Sequence, residues 1–268
     1  MKLIERGAGS PRVAVVGGIH GDEPAGERIV SRLIDTLEVS HGTVQLLLAN
    51  ERALATKTRF TDTDLNRSFP GDPRSEEYEP ALAARLLDVL DGADAILALH
   101  TSQSAPPPFA IYSHLTESVR RTVTGLPVDY VVDAGDLRTT TLDSTLPHTV
   151  SFETGHQQSE EAAEFGYQAT KAFLRAHGVL TDAEPTYTAT QTVRAREEVP
   201  KGGGEPHLNY SNFEEITPGS VFAYDDVHTH RVENQGLVPV LASEDGYEDI
   251  FGIYGTFEEI IEPVPGDG

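Results

Sequence analysis

Apolar strand-like runs alternate with amphipathic helical segments through the first two thirds of the chain, and this alternation restricts the fold most. The predicted strands span 12–20, 42–50, 93–100, 109–114, 128–135 and 148–155. The predicted helices span 22–37, 75–92 and 159–180, and leucine and isoleucine recur along one side of the first two. Apolar strands separated by helices predict an α/β fold, with a largely parallel sheet covered on both faces.

The pattern changes after about residue 181, where short β-type segments broken by proline and glycine replace the alternation. A chain of 268 residues is long enough for one large domain and a small appended one. We therefore predict an α/β domain over residues 1–181 and a small β domain over 182–268. The stretch 182–204 is compatible with a linker, an edge strand or a dimer contact.

The chain contains no cysteine, which excludes disulfides, thiolate metal sites and cysteine nucleophiles. Any metal site must therefore use histidine, aspartate or glutamate. The first ten residues lack the apolar core of a signal peptide, and no run approaches the length of a membrane span. We expect a cytoplasmic protein without a membrane partner, and we leave a homo-oligomer open.

Acidic residues outnumber basic ones by 43 to 20, so the formal net charge is −23. The acids are dispersed along the chain, which favours a solvated, halophilic-type acidic surface over an acidic surface that contacts one partner. Either way, repulsion from phosphates argues against nucleic-acid binding.

Three candidate metal ligands stand where predicted strands end. His20 and Glu23 lie on the turn after the first strand, and His100 ends the third. The carboxyl ends of strands in open α/β sheets form the ligand crevice, and two histidines with one carboxylate are a catalytic zinc pattern. The alternatives are that His20 and Glu23 cap the following helix and that His100 is an ordinary polar residue at a strand end.

A second polar cluster lies in the loop 58–71, which fits neither the helical nor the strand period. Arg59, Asp62, Asp64, Asn66 and Arg67 lie within nine positions there. Arginine and asparagine can bind a substrate carboxylate, and an arginine can stabilise an oxyanion. The alternative is a surface loop held by salt bridges. Glu153, in a predicted strand, is either a working acid or a buried strand acid without a role.

Four segments in order, GGIHGDEPAG, RFTDTDLNRSFPG, ILALHTS and SFETG, resemble the succinylglutamate desuccinylase/aspartoacylase family, part of the zinc carboxypeptidase superfamily. The resemblance covers essentially the whole chain. It implies a three-layer α/β/α domain with a mostly parallel or mixed sheet, followed by a small C-terminal β domain.

The resemblance also implies a role for each matching residue. His20, Glu23 and His100 match the ligands of one zinc ion per chain. Glu153 matches the acid/base that activates zinc-bound water, and Arg59 matches the arginine that polarises the scissile carbonyl. Asn66, Arg67 and Tyr247 match residues that hold a substrate carboxylate, and Asp64 matches a position that orients the loop.

The chain departs from the family pattern near Glu153. Members that cleave N-acetylaspartate carry a further arginine shortly before the catalytic glutamate, whereas the nearest upstream arginine here is Arg138. His156 stands where the family often has another short motif, and it is either a substrate contact or a surface residue. These differences leave the substrate open.

The function expected from this resemblance is zinc-dependent deacylation of a small N-acyl amino acid or related amide. The alternatives are a zinc carboxypeptidase that acts on peptides and a binding module with a degenerate metal site. The carboxypeptidase alternative is disfavoured because the family's C-terminal domain restricts the site to small substrates.

If the surface is of the halophilic type, salt should screen its self-repulsion. We expect the free energy of unfolding, measured by urea denaturation, to rise between low and molar salt. A stability indifferent to salt would contradict the halophilic-type interpretation.

Overall fold

A mixed sheet of ten strands forms the centre of the protein, whose computed structural model describes residues 1–104 and 107–263. The strands are β1 (Lys2–Ala8), β2 (Arg12–Gly17), β3 (Gly42–Leu48), β4 (Ala95–Ser102), β5 (Phe109–Tyr112), β6 (Tyr130–Asp133), β7 (Thr149–His156), β8 (Thr190–Pro200), β9 (His207–Leu208), β10 (Val221–Tyr224), β11 (Thr229–Arg231), β12 (Leu237–Val240) and β13 (Ile250–Ile261). The helices are α1 (Pro24–Thr36), α2 (Glu51–Thr56), α3 (Tyr78–Leu90), α4 (Glu117–Gly125), α5 (Leu142–Thr145) and α6 (Glu160–Ala176).

The order of strands across the main sheet is β1-β3-β2-β4-β7-β5-β6-β8-β13-β12. Neighbouring strands are parallel in the group β3-β2-β4-β7 and again in the group β5-β6-β8. The pairs β1–β3, β5–β7, β8–β13 and β12–β13 are antiparallel. The sheet is therefore mixed, and the predicted α/β fold is confirmed.

Alternate residues of β2 pack into separate cores on the two faces of the sheet. Val13 and Val15 join the cluster that contains the apolar sides of α1, α4 and α6. Ala14 and Val16 join the cluster beneath α3 and α5. Because both faces are covered, β2 reads as a continuous apolar run, and the architecture has three layers.

The chain after α6 continues the main sheet and also forms a separate small one. Strand β8 lies inside the main sheet, because it pairs with β6 on one side and β13 on the other. This part of the stretch 182–204 is thus an interior strand, neither a linker nor an edge. Strands β9, β10 and β11 form a small antiparallel sheet. The domain boundary at 181/182 stays a prediction.

Four elements were absent from the sequence-based prediction: β1, α2, α4 and α5. Strand β1 lies at the sheet edge, so only part of its surface is buried and its apolar pattern is weak. Helices α2 and α5 have only six and four residues, which is too short for a helical period to show. The described helices include none that is both long and apolar enough to cross a membrane.

Close backbone contact brings α1 onto the end of β2. A Cβ atom added to Gly17 would lie only 2.4 Å from the carbonyl oxygen of Gly26 in the first turns of α1. The absence of a side chain at Gly17 therefore lets the turn between them, with His20 and Glu23, sit tightly against the sheet.

Replacing Gly17 by alanine should force α1 away from β2. We expect Gly17→Ala to lower the free energy of unfolding by about 1–3 kcal/mol, as measured by urea denaturation. Arg28→Ala, at an exposed position of α1, is the control, because alanine there favours the helix and adds no atom between α1 and β2. Equal losses in the two variants would contradict the proposed close contact.

Candidate active site

Glu23 joins the turn after β2 to the end of β4. Its Oε1 lies 2.7 Å from His20 Nδ1, and its Oε2 accepts a hydrogen bond from the backbone N–H of Thr101 at 3.0 Å. Glu23 occupies the N-cap position of α1, but its side chain makes no capping hydrogen bond. Helix capping therefore does not account for this buried carboxylate.

His100 completes a compact group with His20 and Glu23. His100 Nδ1 lies 3.3 Å from Glu23 Oε2, and the two imidazole rings have their centroids 5.3 Å apart. One ligand atom from each of the three residues lies within 4.8 Å of the others, and all three side chains are buried. Within residues 1–104 and 107–263, no other group of three such side chains meets this condition.

The three side chains fit a zinc ion. His100 Nε2 is buried and has no hydrogen-bond partner among the described residues. A buried nitrogen without a partner costs free energy unless something else satisfies it. Two imidazoles and one carboxylate are a donor set that suits zinc and leaves a coordination position for substrate or water.

The electrostatics of the cluster favour positive charge at its centre. Burial disfavours charged imidazole, but the carboxylates of Glu23 and Asp64 raise the pKa of His20 to about 9. Burial likewise disfavours ionised Glu23, yet the charge of His20 and the hydrogen bond to His100 hold the Glu23 pKa well below its usual range. The carboxylates thus stay ionised beside the imidazoles, as binding of a cation requires.

Two residues of the loop 58–71 hold this cluster from outside. Asp64 Oδ1 lies 2.9 Å from His20 Nε2, so it orients the imidazole in the way carboxylates orient metal-binding histidines. Arg59 donates from Nε to Asp64 at 3.1 Å and from Nη1 to Glu23 at 3.3 Å. The structure therefore brings the loop and the candidate ligands into one ion-pair network.

Glu153 lies beside the cluster on β7, the strand next to β4. It is opposite His100 in the β4–β7 register and opposite Phe109 in the β5–β7 register. Its Oε2 is buried and has no hydrogen-bond partner in the described part of the chain. Burial, aided by the charge of Glu23 and opposed by that of His100, raises the Glu153 pKa to about 7. A carboxyl group with such a pKa can both accept and release a proton near neutral pH.

Asn66 and Arg67 lie on a short 3-10 turn, Leu65–Arg67, in the same loop. The side-chain oxygen of Asn66 accepts a hydrogen bond from the backbone N–H of Leu142 at 3.0 Å. This contact fixes the amide, so its NH2 group is the end available to a ligand. Burial and the neighbouring charges of Arg138 and Arg59 lower the pKa of Arg67.

Tyr247 reaches the cleft from the segment between β12 and β13. Its backbone carbonyl accepts a hydrogen bond from Lys201 Nζ at 2.6 Å. Burial and the nearby charge of Glu153 raise the pKa of the Tyr247 phenol to about 12, so the phenol stays protonated at neutral pH.

Eight of the residues singled out from the sequence line one cleft. They are His20, Glu23, Arg59, Asn66, Arg67, His100, Glu153 and Tyr247. Arg138 also lines this cleft, where it forms an ion pair with Glu198 at 2.7 Å. His156 is exposed and lies outside the lining of this cleft, although it borders a neighbouring one.

Comparison with known proteins identifies the family of the chain. The sequence profile described as the succinylglutamate desuccinylase/aspartoacylase catalytic domain matches residues 9–176, which is more than half of the chain. The chain belongs to the succinylglutamate desuccinylase/aspartoacylase family. None of the curated proteins matches the sequence.

Solved structures of other proteins share the fold at low sequence identity. A succinylglutamate desuccinylase/aspartoacylase from Rhodobacter sphaeroides is 22% identical, with a TM-score of 0.74, over 96% of this chain and 88% of that one. The ectoine utilization protein EutE (DoeB) from Ruegeria pomeroyi is 19% identical, with a TM-score of 0.76, over 95% and 86%. Murine aminoacylase 3 is 18% identical, with a TM-score of 0.76, over 94% and 97%. At these identities the likeness concerns the fold.

Glu79 has a structural role that the sequence pattern did not indicate. Glu79, on α3, is fully buried and accepts hydrogen bonds from the backbone N–H groups of Thr61, Asp62 and Thr63, at 2.7, 3.0 and 3.3 Å. Its Oε1 also accepts from Asn50 Nδ2 at 3.1 Å. Burial opposes its ionisation, but these hydrogen bonds lower the Glu79 pKa to about 2. Glu79 therefore anchors the loop that carries Arg59 and Asp64. An acid followed by proline at a helix start looks like a surface residue, so local pattern alone offers little sign of this role.

Glu79→Gln should loosen the loop and destabilise the protein. Hydrogen bonds to a charged acceptor contribute about 1.5–3 kcal/mol, and we expect a loss of that order at pH 7 by urea denaturation. Because folding lowers the Glu79 pKa, its ionised form stabilises the protein fully above the ordinary glutamate pKa of 4.5, and this contribution disappears as pH falls towards about 2. The difference between wild type and variant should therefore shrink over that range. Glu76→Gln, on the exposed segment before α3, is the control. A difference independent of pH would contradict the anchoring role.

Proposed function

We propose that this protein is a zinc-dependent amidohydrolase that removes the acyl group from a small N-acyl amino acid or a related amide. One observation carries the proposal: the buried His20–Glu23–His100 cluster, in which His100 Nε2 has no partner among the described residues, faces the same cleft as Glu153. Membership of a family named for desuccinylase and aspartoacylase supports the class of reaction.

His20, Glu23 and His100 would hold one zinc ion. When bound, zinc supplies Lewis-acid chemistry, which makes water more acidic and an amide carbonyl more electrophilic. Asp64 keeps the His20 ring in place through its contact with Nε2. Arg59 lies against Glu23, so it can donate a hydrogen bond to the oxygen of a scissile carbonyl held beside the cluster.

Glu153 would carry the proton during hydrolysis. Its carboxylate takes a proton from the attacking water and then donates it to the amide nitrogen, which leaves as a free amine. Asn66 and Arg67 would bind a carboxylate of the substrate through the amide NH2 group and the guanidinium. The protonated phenol of Tyr247 adds a third donor from the segment between β12 and β13.

The decisive experiment joins metal analysis to a screen for amine release. The protein is reconstituted with zinc, its metal content is measured by elemental analysis, and N-acyl amino acids and short peptides are tested in high salt. We expect about one zinc per chain and release of an amino acid from N-acyl compounds. Activity on peptides alone would support the carboxypeptidase alternative, and failure to bind zinc would overturn the enzyme proposal.

Two variants separate metal binding from proton transfer. Glu153→Gln should keep its zinc and lose turnover by about 100- to 10 000-fold, because the amide cannot transfer the proton. His100→Ala should lose the metal as well as the activity. Unchanged turnover in Glu153→Gln would remove Glu153 from the mechanism, and full zinc occupancy in His100→Ala would remove His100 from the ligand set.

A further inference from the structure

The cleft changes from polar to apolar one strand away from Glu153. On β7, Ser151 lies two residues before Glu153 and therefore on the same face of the sheet. Its partner in the β5–β7 register is Ile111, whose partner on β6 is Val132. The wall of the cleft continues across the sheet with apolar side chains: Ile111, Val132, Ala195, Val240, Leu241 and Ile253.

The three arginines of the cleft differ in whether they already form ion pairs with carboxylates. Arg59 forms ion pairs with Glu23 and Asp64, and Arg138 forms one with Glu198. Arg67 donates only to the backbone oxygen of Asn66, and no carboxylate of the described residues pairs with it.

A buried acid, Asp143, also lies on this side of the cleft. Asp143 also lines the cleft and is held by the hydroxyl groups of Ser113 and Ser151, at 2.8 and 2.9 Å. Asp143 therefore places a hydrogen-bond acceptor, and no cation, on this side of the cleft. The described cleft therefore offers one guanidinium that is free to bind an anion.

We propose that the substrate carries a single carboxylate, bound by Arg67, and an uncharged aliphatic group that packs against the apolar wall. This proposal rests on the proposed function and narrows it. A second carboxylate placed against this wall would be desolvated without a free cation to compensate, which is costly. The aliphatic group can belong to the acyl part or to the amine part, and the experiment distinguishes the two.

The test uses two pairs of compounds that match in shape but differ in charge. N-acetylleucine is compared with N-acetylaspartate on the amine side, and N-(4-methylpentanoyl)glycine with N-succinylglycine on the acyl side. For the wild-type zinc enzyme, kcat/KM is measured by amine release. For zinc-loaded Glu153→Gln, binding is measured by calorimetry, which does not depend on turnover.

In at least one pair, we expect the aliphatic compound to exceed its dicarboxylate partner by about tenfold or more in kcat/KM and in affinity. The pair that shows the preference identifies the part of the substrate that contacts the wall. Preference for the dicarboxylate in either pair, or equal values in both pairs, overturns this inference while leaving the amidohydrolase intact. If nothing is hydrolysed, the proposed function fails, and calorimetry still decides: aliphatic preference supports the inference, and equal or no binding overturns it.

A gain of dicarboxylate binding tests the charge argument. Glu198→Gln removes the partner of Arg138 and should free a second guanidinium, so the affinity for the dicarboxylates should rise several-fold relative to the aliphatic compounds. Glu197→Gln, at the neighbouring exposed position of β8, makes the same change in net charge and is the matched control. Identical behaviour of the two variants would contradict the assignment of Arg67 as the single available cation.

A polar substitution in the apolar wall tests whether the aliphatic group of the substrate packs there. Ile111→Thr should weaken binding of the aliphatic compounds by about tenfold and leave the affinity for N-acetylglycine, which lacks the aliphatic group, nearly unchanged. Ile260→Thr, an exposed position on β13 outside the cleft, is the control. Equal losses for N-acetylglycine and the aliphatic compounds would show that the wall does not contact the substrate, and would overturn the inference.

Discussion

The carboxylate of Glu23 is the contact on which the rest of the site depends. Through its two oxygens it joins the turn after β2, the backbone at the end of β4 and the loop that carries Arg59. A buried carboxylate is stable only if charges and hydrogen bonds replace the water it has lost. His20, Thr101 and Arg59 supply these contacts here, so the three segments converge on one point at the carboxyl ends of the strands.

Close backbone packing holds the turn with His20 and Glu23 in position for these contacts. The close approach of Gly17 to Gly26 lets α1 rest directly on β2, and the turn between them holds His20 and Glu23 against the sheet. Parallel pairing of β2 with β4 then places His100 beside them, and pairing of β4 with β7 places Glu153 next to His100. The positions of His100 and Glu153 are thus set by backbone hydrogen bonding between neighbouring strands, which is more rigid than a loop.

The cleft has one wall from the α/β core and another from the last third of the chain. Strands β8, β12 and β13 extend the sheet, and their apolar side chains continue the face that begins at Ile111. Tyr247, on the segment between β12 and β13, lines the same cleft and packs against this apolar cluster. Continuous pairing between the two parts means that the shape of the cleft depends on the packing of residues far apart in sequence.

Local sequence patterns were sufficient to predict most of the buried strands and the candidate site residues. The apolar runs marked the buried strands, and the position of His20, Glu23 and His100 at strand ends predicted that they come together as a candidate metal site, because side chains at the ends of parallel strands converge. Residues paired through long-range contacts were not predictable in this way. The edge strand β1, the interior place of β8, the buried role of Glu79 and the pairing of Arg138 with Glu198 depend on which segments meet in space. The sequence alone determined which residues can do the chemistry, since side-chain type and local period are encoded in neighbouring positions. Only the tertiary structure decided which charges are already paired and which face of the cleft is apolar, because those properties arise from contacts between distant segments.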